Sequence, residues 1–210
     1  MSFNPPVVIL TNGVFPTHDR PLDVLRRAGT LICCDGVANK LIGRTPEPDA
    51  VVGDLDSLSE EARAAFHDRL VELPSQQSSD LEKALRWVAG KGAKEVTILG
   101  ATGLREDHSL GNLLMLWTDF GLDITLLTDT GQFTVVRTAR SFRSFEGQVV
   151  SLFPESSRVR ITSSGLVYPL QDAPISAPHK GTSNRSLGPV FSVIVTGDAV
   201  LVYQGYPPGA

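Results

Sequence analysis

Short apolar runs alternate with helical patterns up to about Thr130, and this alternation constrains the fold more than any other feature of the chain. We predict strands over the apolar runs, at Val7–Leu10, Leu31–Cys34, Ala50–Val52, Val96–Leu99 and Ile124–Thr128. We predict helices between them, at Pro21–Ala28, Val37–Ile42, Ser59–Phe66, Leu81–Val88 and Ser109–Phe120. Strands that alternate with helices indicate a Rossmann-like parallel sheet with helices on both faces, and hence an α/β fold class.

The pattern changes after about Thr130, where the helical periodicity ends and short β-rich runs are separated by Gly, Pro and Ser. We predict strands at Phe133–Arg137, Gln148–Phe153, Arg158–Ile161, Phe191–Thr196 and Val200–Tyr203. Such a series predicts a small C-terminal all-β sandwich or barrel. We therefore divide the chain into domains at residues 1–130 and 131–210, and we expect the long irregular stretch Pro169–Pro189 to be functional.

Composition excludes several classes of protein. The chain has 210 residues, of which 41% are apolar and 20% charged, as in an ordinary globular protein. The net charge of -4 and the lack of a basic run argue against nucleic-acid binding, and no apolar stretch reaches membrane-spanning length. The N-terminus lacks the pattern of a signal peptide, and the adjacent Cys33 and Cys34 indicate a reducing compartment. We therefore expect a cytoplasmic protein with no nucleic-acid or membrane partner.

Two carboxylates one residue apart, Asp54 and Asp56, follow the predicted buried strand Ala50–Val52. In an extended backbone the side chains at positions i and i+2 point the same way, so these two can converge on one point. Carboxylates held that close repel each other unless a cation lies between them, and Mg²⁺ is the usual cation for an all-oxygen site. We therefore expect Asp54 and Asp56 to bind Mg²⁺, which would hold phosphate oxygens, although turn chemistry is an alternative explanation.

Asp35 and Asp80 are two further carboxylates at the ends of predicted elements. Asp35 follows the apolar run Leu31–Cys34, and Asp80 stands at the start of a predicted helix, after Ser79. A turn explains Asp35 equally well, and a preference for helix N-termini explains Asp80. Ligands of such sheets bind outside the carboxyl ends of the strands, which is where Asp35 and Asp54 stand.

A glycine turn, Gly100–Gly103, follows another predicted strand and precedes a predicted helix. Glycines permit close backbone approach, and the N–H groups of a helix start favour anions. Arg105 can bind a phosphate or carboxylate through two N–H groups, and Asp107 could orient a substrate or a water. The turn is neither a P-loop nor a dinucleotide fingerprint. From the residues alone, His108 is better explained as a helix-start or packing residue than as a catalytic base.

Taken in order, five short segments resemble the motifs of thiamine pyrophosphokinases (thiamine diphosphokinases), and the match covers nearly the whole chain. The segments are Asp35–Asn39, Gly53–Ser57, Ser79–Leu85, Gly103–Asn112 and Ser183–Asn184. The fourth carries an extra residue, Leu104, before Arg105. The resemblance implies a nucleotide-binding α/β catalytic domain at 1–130 and a thiamine-binding β-sandwich at 131–210. It also implies a homodimer with the active site near the subunit interface.

The reaction that the resemblance implies is transfer of a pyrophosphoryl group from Mg-ATP, the co-substrate, to the hydroxyl of thiamine, which gives thiamine diphosphate and AMP. Asp54, Asp56 and Asp80 would bind Mg²⁺. The implied catalytic residues are Asp54, Asp56, Asp80, Arg105 and Asp107. The implied nucleotide-binding residues are Asp35, Asn39, Gly100, Thr102, Gly103 and His108. The implied thiamine-binding residues are Gln77, Ser183 and Asn184.

Gln77 departs from the pattern of the family, which commonly has an Asp at this position. Glutamine can accept a hydrogen bond but brings no charge, so we expect one fewer anionic group around the metal ions. The thiamine ring is a flat cation that suits an aromatic face. The aromatic candidates are Tyr168, Phe191, Tyr203 and Tyr206.

Three other functions fit the same acidic residues. The first is pyrophosphoryl transfer to another small alcohol, such as a hydroxymethylpterin. The second is a nucleotide-sensing module without catalysis, which the missing charge at Gln77 favours. The third is a metal-dependent phosphohydrolase, which would consume ATP with no acceptor present.

Overall fold

The computed structural model describes residues 2–75 and 77–207. The chain divides into two compact units, residues 1–129 and 130–210. In the described part, no helix is both long enough and apolar enough to cross a membrane.

The first unit is built on a six-stranded parallel sheet with the order β6-β5-β1-β2-β3-β4. Its strands are β1 Val7–Leu10, β2 Thr30–Cys34, β3 Ala50–Gly53, β4 Leu70–Glu72, β5 Glu95–Leu99 and β6 Asp123–Leu127. Every residue of β1, β2 and β3 is buried. Strands of a parallel sheet that are covered on both faces are apolar throughout, which is why the apolar runs identified them.

The helices of the first unit connect these strands. They are α1 Asp19–Arg26, α2 Glu60–Ala65, α3 Asp80–Gly90 and α4 Glu106–Met115, together with a 3₁₀ helix at Asp35–Leu41. Helix α3 begins where Ser79 caps it, since the Ser79 hydroxyl accepts a hydrogen bond from the Glu82 N–H. Helix α4 begins and ends earlier than the predicted Ser109–Phe120, and the predicted helix Val37–Ile42 is the 3₁₀ helix.

In the second unit, residues 130–207 as described form seven strands in two antiparallel sheets, with the orders β11-β9-β13-β7 and β10-β12-β8. The strands are β7 Gly131–Val136, β8 Ala139–Arg143, β9 Val149–Pro154, β10 Arg160–Ser164, β11 Asn184–Arg185, β12 Val190–Thr196 and β13 Val200–Gly205. Apolar side chains from both sheets form one core, in which the rings of Phe142 and Phe191 stack at 4.8 Å. The predicted fold class, a parallel α/β sheet followed by a β-sandwich, is confirmed.

The stretch Pro169–Pro189 is less irregular than predicted. It contains a short 3₁₀ helix, Pro178–Gly181, and strand β11, which pairs with β9. The loop therefore rejoins the sandwich at Asn184, and the predicted Ser183–Asn184 segment stands at this return.

Candidate functional site

A cavity of about 400 Å³ opens at the carboxyl ends of the parallel strands in the first unit. Its walls come from the loops that follow β1, β2, β3 and β5, from the start of helix α3 and from helix α4. The predicted residues among its lining are Asp80, Thr102, Arg105 and His108. This is the position at which sheets of this type bind ligands.

Three carboxylates lie together beside this cavity. Oxygen atoms of Asp35, Asp54 and Asp56 all fall within 4.8 Å of one another. Asp54 and Asp56 do converge, but the extended backbone that we invoked to explain this is wrong. Strand β3 ends at Gly53, and Leu55 has a φ of +64° with its side chain buried in the core. The convergence therefore depends on a left-handed turn around a buried leucine.

The 3₁₀ helix at Asp35–Leu41 holds this acidic loop in place. Asp35 Oδ2 accepts a hydrogen bond of 3.2 Å from the Ser57 N–H. The Asn39 side chain donates to the Ser57 carbonyl at 2.9 Å and accepts from the Ser59 N–H at 3.0 Å. Asn39 thus positions the loop that carries Asp54 and Asp56. Its predicted contact with a nucleotide stays a prediction.

The environment of Asp35 fits a bound cation. The residue is only 2% exposed, and its Oδ1 atom is buried without a hydrogen-bond partner among the described residues. Burial raises the pKa of Asp35 to about 6, the Ser57 N–H opposes this rise, and the nearby aspartates add to it. A buried oxygen without a donor is costly, and a divalent cation would satisfy it. The all-oxygen set of Asp35, Asp54 and Asp56 is of the kind that Mg²⁺ prefers.

A buried lysine joins Asp54 to Asp80. Lys83 Nζ lies 3.1 Å from Asp54 Oδ2 and 3.0 Å from Asp80 Oδ1, and the lysine side chain is 5% exposed. Burial opposes the charged form of Lys83, but its two carboxylate partners raise its pKa, while its hydrogen bond lowers the pKa of Asp54. Asp80 thus reaches the acidic group through Lys83. Sequence analysis missed Lys83, whose spacing of three residues from Asp80 was the available signal.

Glycine at position 53 makes room for this arrangement. A Cβ atom there would lie 2.8 Å from Asp35 Cβ and 3.1 Å from Asp80 Oδ1. Any side chain would therefore displace the two acids that flank the strand end.

The predicted glycine turn forms one wall of the cavity together with a loop that sequence analysis missed. Gly13 N–H donates to the Gly100 carbonyl at 2.7 Å, and Val14 N–H donates to the Thr102 carbonyl at 2.9 Å. Asn12 and Gly13 line the cavity beside Thr102. The available signal was an Asn-Gly pair one residue after a buried strand, which resembles the Asp-Gly pair after β2.

Arg105 and Asp107 pair with each other rather than with another element. Arg105 Nη2 lies 2.6 Å from Asp107 Oδ2, and both side chains are about two-thirds exposed, at 66% and 65%. The hydrogen bond from Arg105 lowers the pKa of Asp107 to about 2. Asp107 is therefore ionised near neutral pH and is poorly suited to accept a proton. His108 is exposed at the start of α4 and lines the cavity.

The predicted thiamine-binding residues lie in both units. In the first unit Gln77 is exposed, and its N–H donates to Ser75 Oγ. In the second unit Ser183 is exposed with a φ of +65°. Asn184 is 9% exposed. Its side-chain oxygen accepts a hydrogen bond from the Tyr168 N–H at 3.1 Å, and its side-chain nitrogen donates to the Tyr168 carbonyl at 2.8 Å. The side chain of Asn184 therefore holds the backbone of Tyr168.

The aromatic candidates for a thiamine contact differ in exposure. Tyr168 is 70% exposed, whereas Phe191 is 1% exposed and stacks on Phe142 in the core of the sandwich. The Tyr203 hydroxyl donates to the Thr130 carbonyl at 3.0 Å. Phe191 is therefore committed to the core and has no free face for a ligand.

Replacing Asn39 with alanine is expected to weaken both the fold and the acidic site. The variant loses two hydrogen bonds to the loop of Asp54 and Asp56, so we expect unfolding free energy to fall by about 1–2 kcal/mol. Mn²⁺ affinity, measured by electron paramagnetic resonance, should fall with it. Asn184→Ala is the matched control, since it removes similar bonds in the second unit and should leave Mn²⁺ affinity unchanged. Equal Mn²⁺ affinity in Asn39→Ala and wild type would contradict this positioning role.

Comparison with known proteins agrees with these motifs. Residues 22–126 match the family model described as "Thiamin pyrophosphokinase, catalytic domain", and residues 131–203 match "Thiamin pyrophosphokinase, substrate-binding domain". Thiamine pyrophosphokinase 1 of Oryza sativa subsp. japonica is 28% identical over 181 residues, which cover 71% of this chain and 69% of the relative. Thiamine pyrophosphokinase of Bacillus subtilis is 26% identical over 144 residues, which cover 61% of this chain and 64% of the relative.

Solved structures show the same fold. Thiamin pyrophosphokinase from Geobacillus thermodenitrificans superposes with a TM-score of 0.81 at 23% identity, over 97% of this chain and 98% of that one. The enzyme from Candida albicans superposes with a TM-score of 0.77 at 16% identity, over 99% of this chain and 96% of that one. Because two family models match in sequence order and together span most of its length, this chain belongs to the thiamin pyrophosphokinase family.

Proposed function

We propose that this protein transfers a pyrophosphoryl group from Mg-ATP to the hydroxyl of thiamine, giving thiamine diphosphate and AMP. The observation that carries the proposal is the group of Asp35, Asp54 and Asp56 beside a cavity at the carboxyl ends of a parallel sheet. The relatives from rice and Bacillus subtilis are named thiamine pyrophosphokinases, which supports thiamine as the acceptor. We further propose that residues 1–130 bind the nucleotide and residues 131–210 contribute the thiamine-binding domain.

The chemistry requires one bond to form and one to break. The hydroxyl oxygen of thiamine bonds to the β-phosphorus of ATP, the bond from that phosphorus to the oxygen of AMP breaks, and the hydroxyl proton leaves to solvent. Asp54 and Asp56, with Asp35 or Asp80, would hold Mg²⁺. When bound, Mg²⁺ supplies positive charge to the phosphate oxygens, on which negative charge is spread in a loose transition state.

The residues around this group have supporting roles. Arg105 lines the cavity and pairs with the exposed Asp107. When a phosphate binds, Arg105 would leave Asp107 and donate two N–H groups to the phosphate. A loose transition state needs little early removal of the hydroxyl proton, so no strong general base is required. The lowered pKa of Asp107, about 2, agrees with the absence of such a role for this residue.

Product analysis tests the reaction directly. After incubation of the protein with Mg-ATP and thiamine, chromatography should show AMP and thiamine diphosphate in equal amounts. ADP with thiamine monophosphate would contradict pyrophosphoryl transfer. Preferred use of a hydroxymethylpterin in a competition assay, ATP binding without any AMP, or ATP loss without acceptor would each identify one of the alternative functions.

We further propose that the protein is cytoplasmic and that it forms a homodimer. Helix α4, at the edge of the cavity, exposes Leu110 at 57% and Leu114 at 44%, and Leu104 before it is 63% exposed. Exposed apolar side chains that lie close together favour an interface between subunits. We expect light scattering to give the mass of a dimer for the wild type and of a monomer for Leu110→Lys. A monomeric wild type would contradict the homodimer.

A further inference from the structure

Lys83 is a buried cation among the residues that would bind Mg²⁺, and the proposed reaction gives it no role. Its Nζ atom bonds one oxygen of Asp54 and one of Asp80, at 3.1 and 3.0 Å. The lysine side chain is 5% exposed, against 17% for Asp54 and 35% for Asp80. Lys83 is therefore the most deeply buried member of this ion-pair group.

The position of Lys83 follows from helix α3. Asp80 and Lys83 are one turn apart in α3, so their side chains lie on the same side of the helix. Helix α3 packs against β2 and β3, and its residues Leu81, Ala84 and Leu85 are buried. This packing brings the ammonium group to the end of β3, where Asp54 begins the acidic loop. Burying a lysine in this way is costly unless ionised partners compensate it.

The charges of the site explain why a cation is needed there. Asp35, Asp54, Asp56 and Asp80 bring four carboxylates to one strand edge, and like charges at this separation destabilise one another. Lys83 bonds only one oxygen each of Asp54 and Asp80. Asp35 Oδ1 lies beside these carboxylates, is buried without a hydrogen-bond partner among the described residues, and is thus a candidate metal ligand.

We propose that Lys83 is a built-in counter-cation of the acidic site, which positions Asp54 and Asp80 before metal binding and lowers the affinity of the site for a divalent ion alone. The ammonium repels an incoming cation and competes with it for the same two carboxylates. The site therefore holds metal firmly only when phosphate oxygens add their negative charge, so metal and nucleotide enter together. The link to the nucleotide depends on the proposed function, whereas the effect on metal affinity does not.

A purely structural ion pair would give a different result. If Lys83 only stabilises the fold, its neutral replacement lowers stability and leaves metal affinity unchanged or lower. If Lys83 is the counter-cation, stability without metal falls while metal affinity rises. The two measurements move in opposite directions only under the second explanation.

The test uses Mn²⁺ alone, with neither ATP nor thiamine present, and reads free Mn²⁺ by electron paramagnetic resonance. Lys83→Gln keeps an N–H donor for the carboxylates. Lys83→Met keeps a side chain of similar length but has no N–H donor. Both should bind Mn²⁺ about tenfold more tightly than wild type, because a like charge close to the metal has been removed. Lys83→Arg keeps the charge and should bind within about twofold of wild type.

Arg86→Gln is the matched control, since Arg86 is a cation on the same helix whose side chain is 61% exposed and pairs with Glu82 at 2.8 Å. Its Mn²⁺ affinity should equal that of the wild type. Equal, weaker or unmeasurable Mn²⁺ binding by Lys83→Gln overturns the proposal. If neither neutral variant folds without metal, recovery of the folded circular dichroism spectrum by Mn²⁺ supports the proposal, and no recovery at saturating Mn²⁺ overturns it. Because no substrate is present, a failure of pyrophosphoryl transfer to thiamine is a separate result.

Discussion

Asp56→Asn is expected to lower turnover by about 10³-fold or more while the protein stays folded. Asp56 is exposed, and its carboxylate lies within 4.8 Å of the oxygens of Asp35 and Asp54. Asparagine has nearly the same shape but removes one negative charge from the proposed Mg²⁺ site. Without metal the three carboxylates repel one another, so the loss of one charge should not lower the free energy of unfolding.

Asp54→Asn should lower turnover equally, but it should also destabilise the protein. Lys83 is 5% exposed and would keep only Asp80 as an ionised partner. Leaving a buried ammonium with one fewer carboxylate costs about 1–3 kcal/mol of unfolding free energy. The two variants therefore separate the loss of a metal ligand from the loss of an ion-pair partner.

Steady-state production of AMP and urea unfolding without metal measure these two effects. Asp68→Asn is a matched control, because Asp68 is an exposed aspartate of the same unit that pairs with Arg69 at 3.7 Å. Its turnover and stability should equal those of the wild type. Near-native turnover of Asp56→Asn would contradict the metal assignment, and equal stability of the two site variants would contradict the structural role of Asp54.

The sequence predicted the strands that place the site because a buried parallel strand is apolar at every position. Strand β1, Val7–Leu10, has the predicted bounds, and β3 ends one residue later than predicted, at Gly53. The strands that were missed lack this pattern. Strand β4 has only three residues, all partly or fully exposed, and β8 has the polar sequence Ala-Arg-Ser-Phe-Arg. Short or half-exposed strands leave no apolar run to detect.

The sequence identified residues of the candidate site where they directly follow the ends of strands. Asp35, Asp54 and the turn at Gly100 were recognised in this way. The left-handed conformation of Leu55 was not, since only the burial of that leucine explains it. The ion pair of Lys83 with Asp54 was also not predictable, because it depends on how α3 packs against β3. Sequence patterns identify which residues reach one edge of a sheet, and packing decides which atoms meet there.

Gly13→Ala is expected to cost about 2–4 kcal/mol of unfolding free energy and to weaken ATP binding by tenfold or more. A Cβ atom at Gly13 would lie 2.2 Å from the Gly100 carbonyl oxygen and 2.7 Å from that of Thr102. Both obstacles are backbone atoms, and the Gly13 N–H already donates to the same Gly100 oxygen at 2.7 Å. No flexible side chain can move aside, so the two loops must separate.

Because these loops form one wall of the cavity, their separation should weaken ATP binding as well as lower the free energy of unfolding. Gly111→Ala is the matched control, since Gly111 lies inside α4 and a Cβ atom there would meet nothing within 4 Å. Alanine within a helix should stabilise the protein by about 0.5–1 kcal/mol. Urea unfolding and calorimetric titration with ATP measure both effects. If Gly13→Ala unfolds at the same urea concentration as wild type and binds ATP equally well, the paired loops do not form the wall of the nucleotide site.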